Sequence, residues 1–445
     1  MSAKSNRPCS FREAKVRMAQ EISRARTILQ CHPVYRIEIK IKPIDPLAWL
    51  AAQDNAVKIY GANQDDSAAI AGIGEAACVR GNGRVNYPSV FRGLRKYLRP
   101  QYPYLQWYGG FCFDDRTPGS FRFVLPRFEL ARDRGRMIFC CNLVGPLSPV
   151  ALGRIIKELD RSQEKASLKN SALKAVSRRD NPSFKQWEKN VHSVLSAIER
   201  GKYRKVVLAR KTILTFMDVL NPWVMLKRLR KVTRNSYHFC FQFGPSVFLG
   251  ASPERLYKRQ GRRVLSEAVA GTCRRGKTSA EDRRLKIALA RSPKNTREHA
   301  LVVEAIRENL GGLCRRLDHT ARSGILSLGN GHHLLTKFEG QLKDGVKDED
   351  VLQCLHPTPA LGGAPKEKAM AVIRALEPFD RGWYGGPLGY VGLDWAEFVV
   401  GIRSALVRGR QLSVYAGAGI VEGSKPKAEW QEIENKISNF IKIIA

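Results

Sequence analysis

QLSVYAGAGIVEGSKPKAEWQEIENK, running from Gln411 to Lys436, is the stretch from which the rest of the chain is read. Leu412, Val414 and Ala416 alternate with Gln411, Ser413 and Tyr415, the period of a strand with one buried face. Gly417-Ala418-Gly419 then predicts a bare-backbone turn, where main chain can come close to a ligand. After Ser424 and Pro426 a helix is expected, with Trp430, Ile433, Ile437 and Phe440 as its apolar stripe. Glu432 and Lys436 lie four apart and share a face of that helix. Strand, turn, carboxylate and amine together suit the enclosure of a small charged molecule.

Working outward, the 445 residues can bury a large core, and an apolar content of 43% excludes a mainly disordered chain. No apolar run reaches the roughly 18 residues of a membrane-spanning helix. The opening MSAKSNRPCSFREAKVR is basic without an apolar core, so it is not read as a secretory signal. Ten scattered cysteines form no CxxC pair, which leaves reduced thiols and a cytoplasmic location as the expectation. Lys and Arg number 76 against 41 Asp and Glu, a net charge of +35. Such an excess draws anions, whether nucleic acid, lipid or substrate. The cations are spread along the whole chain, however. Their densest zone, residues 162–189, has few aromatics for base stacking, so neither a nucleic-acid nor a membrane partner is expected.

The elements predict an α+β fold. Tyr35, Ile37, Ile39 and Ile41 alternate with charged residues as a strand, and short apolar runs follow at 57–60, 121–125 and 137–144, the pattern of antiparallel hairpins. Helices are expected near 87–97 and 150–159, then a charged, Ser/Asn-rich linker or exposed crossover over 161–183. From Phe184 a helix leads into strands at 205–214, 237–243, 247–250 and 264–270, with helices at 280–290 and 296–310. The spacing is too irregular for a doubly wound parallel sheet.

One motif competes for attention. Gly271 to Thr278, GTCRRGKT, fits the phosphate-loop pattern GxxxxGK[ST] letter for letter, between a strand and a helix. A nucleotide hydrolase also needs an aspartate ending an apolar strand to hold Mg²⁺. The nearest, Asp218 after Leu214-Thr-Phe-Met217, is poorly placed. Elsewhere several polar residues sit on otherwise apolar elements: Lys205 opening KVVLAR, Glu254 after the turn at Pro253, Glu298 early in a helix, and Arg403 in VVGIRSA. Each singly reads as an ordinary surface residue. Jointly they offer a base, an acid, two helix carboxylates suited to Mg²⁺ and a cation for a substrate carboxylate.

These residues fall in eight ordered blocks: KVVLAR (205–210), FLGASPERL (248–256), SEAVAGTCRRG (266–276), SPKNTREHALVVEAI (292–306), HHLLTKFEG (332–340), HPTPALGGAPK (356–366), EFVVGIRSA (397–405) and GAGIVEGSKPKAEWQEIENK (417–436). Together they closely resemble the chorismate-utilising enzymes, which include isochorismate, anthranilate, aminodeoxychorismate and salicylate synthases. TPALGGAPK resembles the isochorismate synthases, where the ammonia-using branches carry a GTVSGAPK-like run. RIEIKIKPIDPLAWLAAQ (36–53) is similar to the longer, menaquinone-pathway type. The resemblance implies the fold of chorismate-binding enzymes, a largely antiparallel core of two stacked sheets flanked by helices. Residues 184–445 would be its catalytic half and 1–160 the variable half.

By the same resemblance Lys205, in neutral form, activates water to attack C2 of chorismate, and Glu254 protonates the departing C4 hydroxyl. That requires Lys205 to be held below its ordinary value of about 10.4 and Glu254 to be raised. Glu298 and Glu432 match the Mg²⁺ ligands. Gly271, Thr272, His333, Arg403, Gly417 and Lys436 match substrate-contacting positions. A monomer or weak homodimer is implied, with salicylate synthase as the neighbouring activity. Two departures stand out: His332 replaces the family's usual Gln, and Leu393-Asp-Trp395 is bulkier than usual. Both are expected to alter the pocket rim.

Overall fold

In the computed structural model of the protein, residues 7–114, 116–117, 119–168, 173–329 and 331–444 are described. Two antiparallel sheets of 12 and 10 strands dominate them, flanked by helices, as the α+β reading expects. Both sheets mix strands from the two halves of the chain. In the larger, the strand Val57–Ala62 pairs with Tyr237–Phe243; in the smaller, Trp107–Phe111 pairs with Pro387–Val391. Within the segment 161–183, residues 169–172 lie outside those described. Ala175–Asn181 is a strand paired with the end of Lys205–Phe216.

Alternation explains how the layers join. Along Tyr237–Phe243, Phe239 and Phe241 project into an aromatic layer containing Phe248 and Trp383, while Cys240 enters the core on the other face. Ile59 and Ile70 of the larger sheet meet Tyr108, Val124, Leu388 and Val399 of the smaller in that layer. Burial of such aromatic and aliphatic side chains contributes about 1.5–3 kcal/mol each.

The basic N-terminal stretch continues into a helix, Phe11–Cys31, started by a Ser10/Glu13 capping box. Its stripe of Phe11, Ala14, Met18, Ile22, Ala25 and Leu29 is buried in the main core.

The opening stretch needs a correction. The strand Gln411–Ile420 runs straight through Gly417-Ala418-Gly419, so no turn occurs there. Gly417 and Gly419 stay in register with Ala209 and Val207 of Lys205–Phe216. The glycines serve space, not a change of direction. A Cβ on Gly419 would lie 2.4 Å from Glu298 Oε1 and 2.8 Å from Lys205 Cε. The helix Pro426–Ile444 follows as expected, burying Ile433, Ile437 and Phe440.

Candidate active site

A pocket opens where elements of both sheets meet the helices Pro293–Leu313 and Pro426–Ile444. Glu254, Gly271, Thr272, Glu298, His333, Arg403, Gly417, Glu432 and Lys436 all line it. Lys205 reaches it through its ammonium, 3.0 Å from Glu298 Oε1. The ten residues singled out in the sequence therefore converge on one place.

Each is set by local structure. Lys205 starts an interior strand and is fully buried, which leaves its Nζ only the pocket side. Glu298 sits in the second turn of a helix begun by the Ser292 cap and Pro293. Its burial works against ionisation, but the Lys205 ammonium, then Lys436 and Lys294, hold the carboxyl below its ordinary value. Glu254 lies where the chain crosses from Ser246–Ser252 in one sheet to Arg255–Gln260 in the other. Burial, then the nearby Glu267 carboxylate, pushes it up to about 8 against the pull of Lys205 and Lys436. It is thus a protonated acid at neutral pH, facing a buried amine.

On the opposite wall, register shifts between Ala270 and Thr272 in the strand Arg263–Arg274. Gly271 takes φ +73° there, and a side chain would press on Asn295. This bulge aims Thr272 at the pocket. Thr272 Oγ1 is 3.0 Å from His333 Nδ1, and His333 Nε2 is 3.1 Å from an Arg403 nitrogen. Arginine can only donate, so Nε2 accepts and Nδ1 carries the proton. Burial, with Arg403 and Lys436 adding to it, keeps this imidazole well below its usual range and neutral. Arg403 has φ +50°, uncommon for a non-glycine residue, and burial lowers its guanidinium to about 10. Lys436 contacts Glu432 Oε1 at 2.7 Å and donates to the Gly417 carbonyl, also at 2.7 Å. It is an ion-pair partner as well as a wall of the pocket.

The phosphate-loop reading of Gly271–Thr278 fails on the same geometry. Residues up to Arg274 are strand, paired with Gly331–Leu342. The place an anion would take belongs to the Asp282 carboxylate, which accepts from Gly276 N at 2.8 Å and Arg275 Nε at 2.8 Å. The unusual His332 turns to that carboxylate too, with Nε2 2.9 Å from Asp282 Oδ1. Trp395 packs on Tyr390 and donates to the Pro103 carbonyl. Neither departure is among the described residues lining the pocket.

Residues missed in the sequence complete the site. Tyr384 lines it, stacked on Tyr415 at 5.4 Å, and Leu361 and Ile402 add apolar surface. Lys294, its side chain 30% exposed, forms an ion pair with the buried Glu429 beside the helix carboxylates. Glu429, three residues before Glu432, was the available signal; its partner lies 135 positions away.

The chain that forms this pocket matches known proteins over nearly its full length. The family model described as "Chorismate binding enzyme" fits residues 20–445. The chain belongs to the chorismate-binding enzymes. Among members of this family, it is 34% identical to isochorismate synthase MenF of Escherichia coli over 403 residues, covering 89% of this chain and 90% of that protein. It is 35% identical to the chloroplastic isochorismate synthase 2 of Arabidopsis thaliana, covering 86% of this chain and 71% of the relative. The solved structure of the menaquinone-specific isochorismate synthase MenF from Escherichia coli superposes with a TM-score of 0.86 at 30% identity, covering 97% of this chain and all of that one. The chorismate-binding fold expected from the eight blocks is therefore the fold found.

Proposed function

We propose that this enzyme isomerises chorismate to isochorismate, its product feeding menaquinone synthesis. The observation that carries the chemistry is a buried carboxyl raised to about 8, Glu254, sharing one pocket with the buried amine of Lys205. Proton transfer needs a base on one reacting oxygen and an acid on the other. Once its contact with Glu298 opens and it has given up its own proton, neutral Lys205 takes a proton from water as the water oxygen bonds to C2. The ring double bond shifts, the C4–oxygen bond breaks, and Glu254 supplies the proton with which that hydroxyl leaves as water. One water enters and one departs, so the reaction is an isomerisation. Arg403, Lys436, Thr272 and His333, with the Gly271 and Gly417 backbone, hold the dianionic substrate, while Tyr384, Leu361 and Ile402 exclude bulk water from it.

The donor set fits Mg²⁺. Glu298 and Glu432 face the pocket from two adjacent helices, and no three His, Cys, Asp or Glu side chains converge among the described residues. Magnesium commonly takes one or two carboxylates and completes its shell with substrate oxygens and water. When bound, the ion supplies positive charge against the substrate's ring carboxylate. Gly419 leaves the room for Glu298 to reach that position. A cytoplasmic monomer or weak homodimer belongs to the same reading, and none of the described helices is long and apolar enough to cross a membrane.

Incubation of the purified protein with chorismate and Mg²⁺, followed by product separation, tests this. Isochorismate is the expected product. No turnover overturns the reading, and salicylate with pyruvate moves the enzyme to the neighbouring branch.

A further inference from the structure

Lys294 takes no part in the chemistry above, yet it sits among the carboxylates of the cation site. It lies one helical turn before Glu298, and its partner Glu429 lies one turn before Glu432. Residues four and three apart share a helix face, so the Lys294–Glu429 pair joins the two helices beneath both site carboxylates. Glu298, Glu429 and Glu432 all act electrostatically on Lys294. Three carboxylates thus meet three lysines: Lys205 on Glu298, Lys436 on Glu432 and Lys294 on Glu429.

The pairs are not equivalent. Glu298 and Glu432 line the pocket, where an ion and the substrate can compete with their lysines. Glu429 is 1% exposed and turned to Lys294. No trio of metal-ligating side chains forms here, although three glutamates are neighbours. We propose that Lys294 sets the cation affinity of the site, by keeping Glu429 out of the donor set and placing a fixed positive charge beside Glu298 and Glu432. Affinity for a hard dication rises with the number of charged oxygen ligands. With Lys294 in place the free enzyme holds a near-neutral cluster that binds the ion weakly. The carboxylate of the arriving substrate then completes the attraction, so ion and substrate bind cooperatively.

This inference rests on the Mg²⁺ site proposed above, and the experiment separates the two. Mg²⁺ is titrated calorimetrically into the substrate-free protein. Lys294→Met is expected to bind the ion about tenfold or more tightly than wild type, since a nearby charge has gone and a third carboxylate is freed. Adding Glu429→Gln to Lys294→Met returns the affinity toward wild type. Lys294→Arg keeps it. Glu429→Gln alone weakens binding several-fold because Lys294 then repels the ion unopposed, and this variant decides the matter if Lys294→Met does not fold. Unchanged or weaker binding in folded Lys294→Met, or unchanged binding in Glu429→Gln, overturns the proposal. Glu298→Gln serves as the control for the site itself: undiminished Mg²⁺ binding there removes the metal reading, and the inference with it.

Discussion

Two of the charge clusters in this molecule are built around different cations. In the N-terminal half, Arg36 is held among three strands of one sheet. Its nitrogens reach Glu38 Oε1 at 2.7 Å, Glu129 Oε2 at 2.9 Å and Asn142 Oδ1 at 2.7 Å. Asn142 closes the ring by donating to Glu129 Oε1 at 2.8 Å. A planar guanidinium fixes several partners at once, and this network is structural. In the pocket, Lys205 from a strand and Lys436 from a helix each sit on one carboxylate beside open space. An ammonium is a point charge with rotatable donors, so its partner can be exchanged. Burial of charge alone does not mark a functional site; burial of exchangeable charge at a cavity does.

The comparison can be broken from either side. The largest effect is expected for Lys205→Ala, with kcat reduced by about 10²- to 10⁴-fold while circular dichroism stays unchanged. Near-normal turnover would remove Lys205 as the base. Glu254→Gln comes next, with a loss of about 10²-fold or more and a changed pH profile. Glu254 must be protonated to donate, so wild-type kcat falls as pH rises through about 8, and this limb is absent from the variant. The stability sign follows from the same shift. Glu254 is raised above its unfolded value of about 4.3, so the native state binds the extra proton. Its stabilising contribution is complete below that value and is lost as pH rises through about 8. Glu254→Gln should therefore gain in melting temperature over wild type between pH 5 and pH 8 on the order of degrees, and a constant difference would contradict the assignment.

For the other cluster, Arg36→Met should cost about 3–5 kcal/mol in denaturant unfolding, because Glu129 is left buried without its partner. The folded fraction should keep wild-type kcat, and a specific loss of turnover would blur the distinction drawn here. The smallest effect belongs to Lys277→Ala. Its backbone N–H bonds Glu281 in a loop closed by Asp282, so rate, stability and nucleotide binding should all stay at wild-type values.

What was legible in the sequence follows the range of the interactions. Phe121–Leu125 and Tyr237–Phe243 begin and end where alternation places them, since period-two burial is written locally. The helix Phe11–Cys31 was hidden because Ala14 and Ala25 give weak signals in its buried stripe, within an otherwise polar stretch. Gly417 and Gly419 were read as a turn because glycine usually breaks a strand. The atoms that demand them, in Lys205 and Glu298, come from distant segments. The ten site residues were recoverable only as a set, through the ordered blocks. Of Lys294 and Glu429, only the spacing of Glu429 to Glu432 was a signal, and its partner lies 135 positions away.

The interleaving of strands has a consequence for dividing the chain. All ten site residues lie beyond Phe184, which invites use of residues 184–445 as a minimal enzyme. That fragment would lose six strands of the larger sheet and three of the smaller. Tyr237–Phe243 and Pro387–Val391, now interior, would become bare edges carrying the aromatic layer that joins the sheets. Such edges pair with other chains. The first half lines none of the described pocket, yet it covers the edges at which the second half would pair with other chains.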